Sequence, residues 1–289
     1  MVNKLILGTA NFGMNYGIAF GKQVSKEEVF RILDLAVEEK VFGVDTAPVY
    51  GDAEEVIGEY FSQKGQVLKV ITKLPKKYYK SYEDVKSTLL ESLKNLKIDS
   101  VDYLLVHSFE TFKQHKELLD YSLKSLKEQG LLKFYGISVY HPWEVFQFLE
   151  TFGGNFAVEF PINVFDRRFV PYIEKWKEKG IILFARSVFL QGLFFLPEEK
   201  LKGVFERVKE KILRLREISE KLGISLACLC LLFVLNFSQV DGFIVGVDDK
   251  KQLEDLLNCA KLKKIDALEL EDLEIDDEDI ILPYKWRKQ

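Results

Sequence analysis

The chain has 289 residues, 47% of them hydrophobic, with 41 basic side chains against 45 acidic and a net charge near −4. That length buries a large core in one or two domains, and the near balance of charge removes the electrostatic case for nucleic acid or an anionic membrane. No apolar run approaches the roughly 18 uncharged residues a spanning helix needs, and "MVNKLILGTANFG" lacks a signal peptide's apolar region, so a cytoplasmic location is expected.

In chain order, short apolar runs alternate with stretches of helical period, the pattern of repeated strand–helix units around a parallel sheet. The strands read as "KLILGT" (4–9), "GVDTA" (43–47), "KVITKL" (69–74), "VDYLLVH" (101–107), "KFYGISV" (133–139), "FAVEFPI" (156–162), "IILFARS" (181–187) and "VDGFIVG" (240–246). Eight such units close a (β/α)8 TIM barrel. After the first strand, Ser25 and Glu28 form a candidate capping box ahead of Val29, Ile32, Leu33, Ala36 and Val37 on one helical face. Val85, Leu89, Leu93 and Leu96 repeat the pattern before the fourth strand, Leu123 and Leu126 precede a stop at Gly130, and two helices fill the long interval after residue 187. No linker divides the chain, so one domain over residues 1–289 is expected. Cys228, Cys230 and Cys259 are too few and too oddly spaced for a disulfide framework or a zinc site and read as buried apolar residues. The acidic stretch 269–279 reads as a solvated face, not a metal site, and His115 and His141 as surface or loop residues. The aromatic, basic end "ILPYKWRKQ" either folds back over the barrel mouth or forms a tail.

One strand carries a charge inside it. Side chains alternate, so Asp45 shares a face with Gly43 and Ala47, and Lys73 on the next strand shares a face with Ile71. Neighbouring parallel strands lie about 4.8 Å apart, which lets carboxylate and ammonium meet inside the barrel. His107 ends the fourth strand and Tyr50 follows the second, so four ionisable groups gather at the strand C-termini, where barrel enzymes build their sites. A phenol with a pKa near 10 is a reluctant donor; an ammonium beside it is expected to lower that value, with Asp45 keeping Lys73 charged and His107 orienting a carbonyl oxygen. Each residue alone is more often architectural than catalytic, and only the combination points to proton donation.

"DTAPVYG", "ITKLP" and "LLVHSF" together resemble the aldo-keto reductase family, whose D-x-x-x-x-Y-G signature the first one matches. The similarity runs from "LILGTANFG" to "VGVDDKKQLEDLL". It implies a barrel that binds a nicotinamide dinucleotide without a Rossmann fold, with Tyr50 as general acid, Lys73 and Asp45 tuning it, and His107 positioning the carbonyl. It also implies a cofactor site drawn from Gly8, Thr9, Ser138, Glu159, Arg186, Ser187, Leu190, Gly192, Val247, Asp248, Lys251, Gln252 and Asp255.

Several of those positions depart from the family pattern. Val139 stands for an asparagine, Glu159 for a glutamine, Arg186 for an aromatic that stacks on nicotinamide, and Leu256 for an asparagine that holds adenine. NADP is the expected cofactor on family frequency, while Asp248 suits the free 2′-hydroxyl of NAD instead. The expected activity is reduction of an aldehyde or ketone to an alcohol, or the reverse. Arg167 and Arg168 fit either a polar or anionic carbonyl substrate or a solvated helix start. A cofactor-sensing regulatory subunit, and a lyase using Lys73 as a Schiff-base nucleophile, are the alternatives. Oligomeric state is not legible.

Overall fold

Alternation along each apolar run decides which side chains enter the barrel and which meet the helices. The computed structural model, which describes residues 1–19, 21–262 and 267–288, has eight strands. They are β1 (Leu5–Gly8), β2 (Gly43–Asp45), β3 (Lys69–Leu74), β4 (Val101–Val106), β5 (Leu132–Ser138), β6 (Ala157–Pro161), β7 (Ile182–Arg186) and β8 (Gly242–Val245). All pair in parallel and in chain order, and β8 returns to β1 through Leu5↔Phe243, Ile6↔Ile244 and Leu7↔Val245. The fold is the closed (β/α)8 barrel that the sequence implies.

Around it lie α1 (Lys26–Glu38), α2 (Ala53–Lys64), α3 (Tyr82–Leu96), α4 (Lys116–Glu128), α5 (Pro142–Phe152), α6 (Ile173–Glu178), α7 (Lys209–Lys221), α8 (Leu226–Leu235) and α9 (Lys250–Ala260). Their apolar stripes are the predicted ones: Val29, Ile32, Leu33 and Ala36 on α1, and Val85, Leu89, Leu93 and Leu96 on α3, are buried. No single described helix is long and apolar enough to cross a membrane.

Inward-facing residues divide the barrel into an apolar floor and a polar top. Ile6, Ile71, Tyr103, Leu105, Ala157, Phe184 and Ile244 form one buried cluster, in which Tyr103 stacks on Phe134 at 5.3 Å and meets Phe184 edge-on at 4.9 Å. Two positions further along β3, β6 and β7 come Lys73, Glu159 and Arg186, and Asp45 ends β2.

Three local expectations are revised, and one open alternative is resolved. Ser25 caps α1 by accepting from the Glu28 amide, but the Glu28 carboxylate does not complete the box; it takes Arg31 at 2.8 Å and the Lys250 amide at 2.7 Å, tying α1 to α9. Cys228 and Cys259 are bonded, with sulfurs 2.12 Å apart, because the turn through β8 brings α8 and α9 together; Cys230 stays free and buried. His115 is buried and its Nε2 accepts from the Tyr79 amide at 3.2 Å, where a surface residue was expected. The C-terminal segment folds back: Tyr284 meets Tyr140 edge-on at 4.7 Å, and Trp286 donates to the Ile280 carbonyl. Gln289 lies outside the described residues.

Among the described residues, no cluster of His, Cys, Asp or Glu is arranged to hold a metal ion. In the acidic stretch, Asp277 and Asp279 instead pair with Arg207 at 2.9 and 3.1 Å.

Candidate active site

Tyr50 is placed by two glycines. A Cβ on Gly13 would lie 1.9 Å from the Tyr50 carbonyl oxygen, and one on Gly51, which has φ +61°, would lie 2.0 Å from the Gly13 carbonyl oxygen. The loops after β1 and β2 therefore cross backbone to backbone, which only glycine permits. Thr9 fixes the neighbouring strand end, its amide and hydroxyl both donating to the Asp45 carbonyl at 3.0 and 2.9 Å.

The four groups expected to work together are together. Lys73 Nζ contacts Asp45 Oδ1 and donates to the Thr46 carbonyl at 3.3 Å. The same ammonium lies 5.3 Å from the Tyr50 ring centroid, and the Tyr50 and His107 rings stand edge-to-face at 6.0 Å. Lys73 is buried, whereas Asp45, Tyr50 and His107 line a cleft of about 440 Å³ at the C-terminal mouth of the barrel.

Pairwise spacing did not reveal a second carboxylate. Glu159 reaches across the barrel interior to Lys73 at 3.2 Å, meets Arg186 at 3.3 Å and accepts from Ser138 Oγ at 3.0 Å. Arg186 also donates to the Val139 carbonyl and Ser187 Oγ, and its guanidinium lies 4.2 Å over the Tyr140 ring. Two carboxylates thus share Lys73, and Glu159 alone has a second cation. Burial, reinforced by the Glu159 charge and opposed by Lys73, pushes the Asp45 carboxyl above its ordinary value. Burial also acts to raise Glu159, but Lys73 and Arg186 outweigh it and hold that carboxyl below its ordinary value. Burial works against the Lys73 charge, yet Asp45 and Glu159 together keep its pKa above that of an ordinary lysine.

This changes the expected electrostatics of the phenol. Burial raises the Tyr50 pKa, Lys73 opposes that, and Asp45 and Glu159 reinforce it; the net direction is upward, not downward. Lys73 limits the rise without reversing it.

For His107, burial and then the Lys73 charge lower the pKa from 6.5 to about 4, so its imidazole is neutral at ordinary pH. Between these values the unfolded chain binds a proton that the folded one refuses, so this residue destabilises the fold as pH falls. Asp45 acts oppositely over the same range, because its raised pKa makes the folded state the better proton binder. The comparison must therefore be made with a variant: from pH 7 to pH 4, His107→Asn should gain about 3 kcal/mol relative to wild type in urea denaturation.

Gly8, Thr9, Ser138, Glu159, Arg186, Ser187, Gly192, Asp248, Gln252 and Asp255 all line the same cleft. Leu190, Val247 and Lys251 do not. Leu190 turns into the core from a loop in which Ser187, Leu190, Gln191 and Gly192 all have positive φ. Val247 is buried and offers only its carbonyl, to Asn11 Nδ2 at 2.8 Å. Lys251 is exposed and pairs with Asp255, one helical turn on, at 2.7 Å. The cleft also uses Asn11, Tyr16, Tyr140, Phe195 and Pro283. None of these carries a spacing signal, since they arrive from the first, fifth and seventh loops and the C-terminal segment. Arg167 and Arg168 do not line the cleft; Arg168 pairs with Asp166 at 2.8 Å, and the Arg167 guanidinium lies 4.8 Å over Phe233.

The model of the Aldo/keto reductase family matches residues 4–276, and the chain belongs to that family. It is 23% identical over 271 residues to the uncharacterized oxidoreductase YqkF of Bacillus subtilis, covering 86% of this chain and 87% of that one. Norsolorinic acid reductase stcV of Emericella nidulans is 26% identical over 320 residues, covering 98% and 79%. The fold of the holo aldo-keto reductase AKR11C1 from Bacillus halodurans superposes with a TM-score of 0.79 at 20% identity, over 95% of this chain and 93% of that one. These relationships make the chain an oxidoreductase of the aldo-keto reductase type.

Proposed function

We propose that the chain acts as a single barrel domain that reduces an aldehyde or ketone to an alcohol, or runs the reverse, with a nicotinamide dinucleotide and Tyr50 as general acid. One observation carries the reading: Tyr50, His107 and Asp45 line one cleft, with the buried Lys73 ammonium behind the phenol ring.

The cleft's donor set suits such a cofactor. Glu159 lines the cleft and accepts from Ser138 Oγ at 3.0 Å, its Oε2 is buried without a hydrogen bond beside the Lys73 ammonium, and Glu159 and Ser138 together would hold a carboxamide. A Cβ on Gly246 would meet no atom within 4 Å, so the wall there is open. Ser187 and Gly192 would border the pyrophosphate with little side-chain bulk. When bound, the dinucleotide supplies or accepts the hydride. Tyr50 Oη gives its proton to the carbonyl oxygen as that oxygen gains charge; even with its pKa raised by burial, the phenol is a stronger acid than the alcohol being formed. Neutral His107 donates one ring N–H to the same oxygen and fixes the face presented. Lys73 limits the cost of the phenolate left behind. A Schiff base on Lys73 is disfavoured, because two carboxylates hold that amine protonated.

The deciding measurement mixes the chain, loaded with reduced dinucleotide, with a panel of aldehydes and ketones in a single turnover. Rapid loss of the reduced-cofactor absorbance with at least one carbonyl is expected. Stoichiometric binding with no oxidation across the panel would instead make the chain a cofactor sensor.

A further inference from the structure

The far end of the cleft leaves the barrel axis. Tyr50 and His107 stand over the barrel, but Ser225, Ala227, Gln252, Asp255 and Leu256 belong to the N-terminal part of α8 and to α9, in the surrounding helix layer. On the reading proposed above, the reacting ring lies at Tyr50, so the adenosine end of an extended dinucleotide lies between these two helices.

The charged side chains that line this end are acidic. Asp248 and Asp255 line the outer end, and among the described residues the only arginine or lysine in the lining is Arg186, which belongs to the catalytic end and is engaged by Glu159, Val139 and Ser187. Lys250 and Lys251 open α9 but pair along the helix with Glu254 at 3.9 Å and Asp255 at 2.7 Å. Turning Lys251 inward would give up its pair and leave Asp255 against whatever it met. A 2′-phosphate brings a charge of about −2 at neutral pH and needs cations. A free 2′-hydroxyl needs an acceptor instead. Asp248 is built as one: Asn11 Nδ2 holds its Oδ1 at 3.0 Å, its amide donates to Gln252 Oε1 at 3.0 Å, and among the described residues nothing hydrogen-bonds to its Oδ2.

We infer that this cleft takes NAD(H) in preference to NADP(H), with Asp248 as the residue that recognises the free ribose and Asp255 as a second charge against a phosphate. The preference departs from the NADP expected of the family and rests on this chain's own side chains.

Fluorescence titration of the full chain with NADH and with NADPH tests it without any carbonyl substrate. NADH should bind at least about tenfold more tightly, and 5′-ADP should displace it better than 2′,5′-ADP. In the Asp248→Asn, Asp255→Asn double variant the NADH preference should shrink by about tenfold or more, mainly through tighter NADPH. NADPH binding as tightly as NADH to the wild type would overturn the inference and leave the reductase reading standing, as would an undiminished preference in a folded double variant. If neither nucleotide bound, both readings would fall.

Discussion

Tyr50→Phe is expected to lower the rate of carbonyl reduction by about 10²–10⁴-fold while changing the affinity for reduced dinucleotide by no more than about twofold. The substitution removes one oxygen and keeps the ring. Lys73 still lies over an aromatic face, and the edge-to-face contact with His107 survives, so neither packing nor the cofactor wall has reason to move. Stopped-flow turnover and a parallel binding titration separate the two quantities. A Phe variant that turns over at the wild-type rate would remove Tyr50 from the chemistry. The direction of the Tyr50 shift adds a pH signature. Reduction uses the protonated phenol and should stay flat from pH 6 through the neutral range. Alcohol oxidation uses the phenolate, so its rate should still be climbing at pH 10, where the titration of an ordinary phenol, with a pKa of about 10, would be half complete.

The second large effect is expected at Lys73. Lys73→Met leaves Asp45 and Glu159 buried with Arg186 as the remaining cation, and stranding a partner of a buried ion pair costs about 3–5 kcal/mol. Turnover should fall by about 10²-fold or more, since nothing then offsets the phenolate that forms. A second variant separates the two losses. Lys73→Met with Asp45→Asn removes the carboxylate that Lys73 alone neutralises, keeps the Glu159–Arg186 pair, and should recover at least half of the lost stability in urea denaturation, with no recovery of turnover. If the double variant regained activity, Lys73 would be architectural; if the single variant were as stable as wild type, the two carboxylates would not depend on it.

The fold was legible because its signals are local. Alternation of apolar residues fixes each strand, helical period fixes each stripe, and counting strands gives the barrel. Asp45 and Lys73 were legible as a pair because β2 and β3 are consecutive and therefore adjacent. Glu159 was not legible as a third member. It comes from β6, which pairs only with β5 and β7, so its contact with Lys73 passes through the barrel interior where strand order gives no guidance. Burial, more than that unforeseen contact, reverses the expected electrostatics: desolvation raises the phenol's pKa, Lys73 opposes the rise, and Asp45 and then Glu159 reinforce it. Cys228 and Cys259 escaped for the same reason, being separated by 31 positions and joined only by the packing of α8 on α9. Lys251 misled in the opposite direction, since a helical i,i+4 partner claims its charge before a ligand can.

The crossing of Gly13 over Gly51 makes the Tyr50 phenol, the proposed acid, vulnerable from a distance. A methyl group at either position touches no ionisable atom, yet it wedges apart two main chains and carries the hydroxyl away from its target. Libraries screened for altered substrate range should therefore return neither position changed, and an inactive clone altered only at residue 13 would mark a displaced acid and not a missing one.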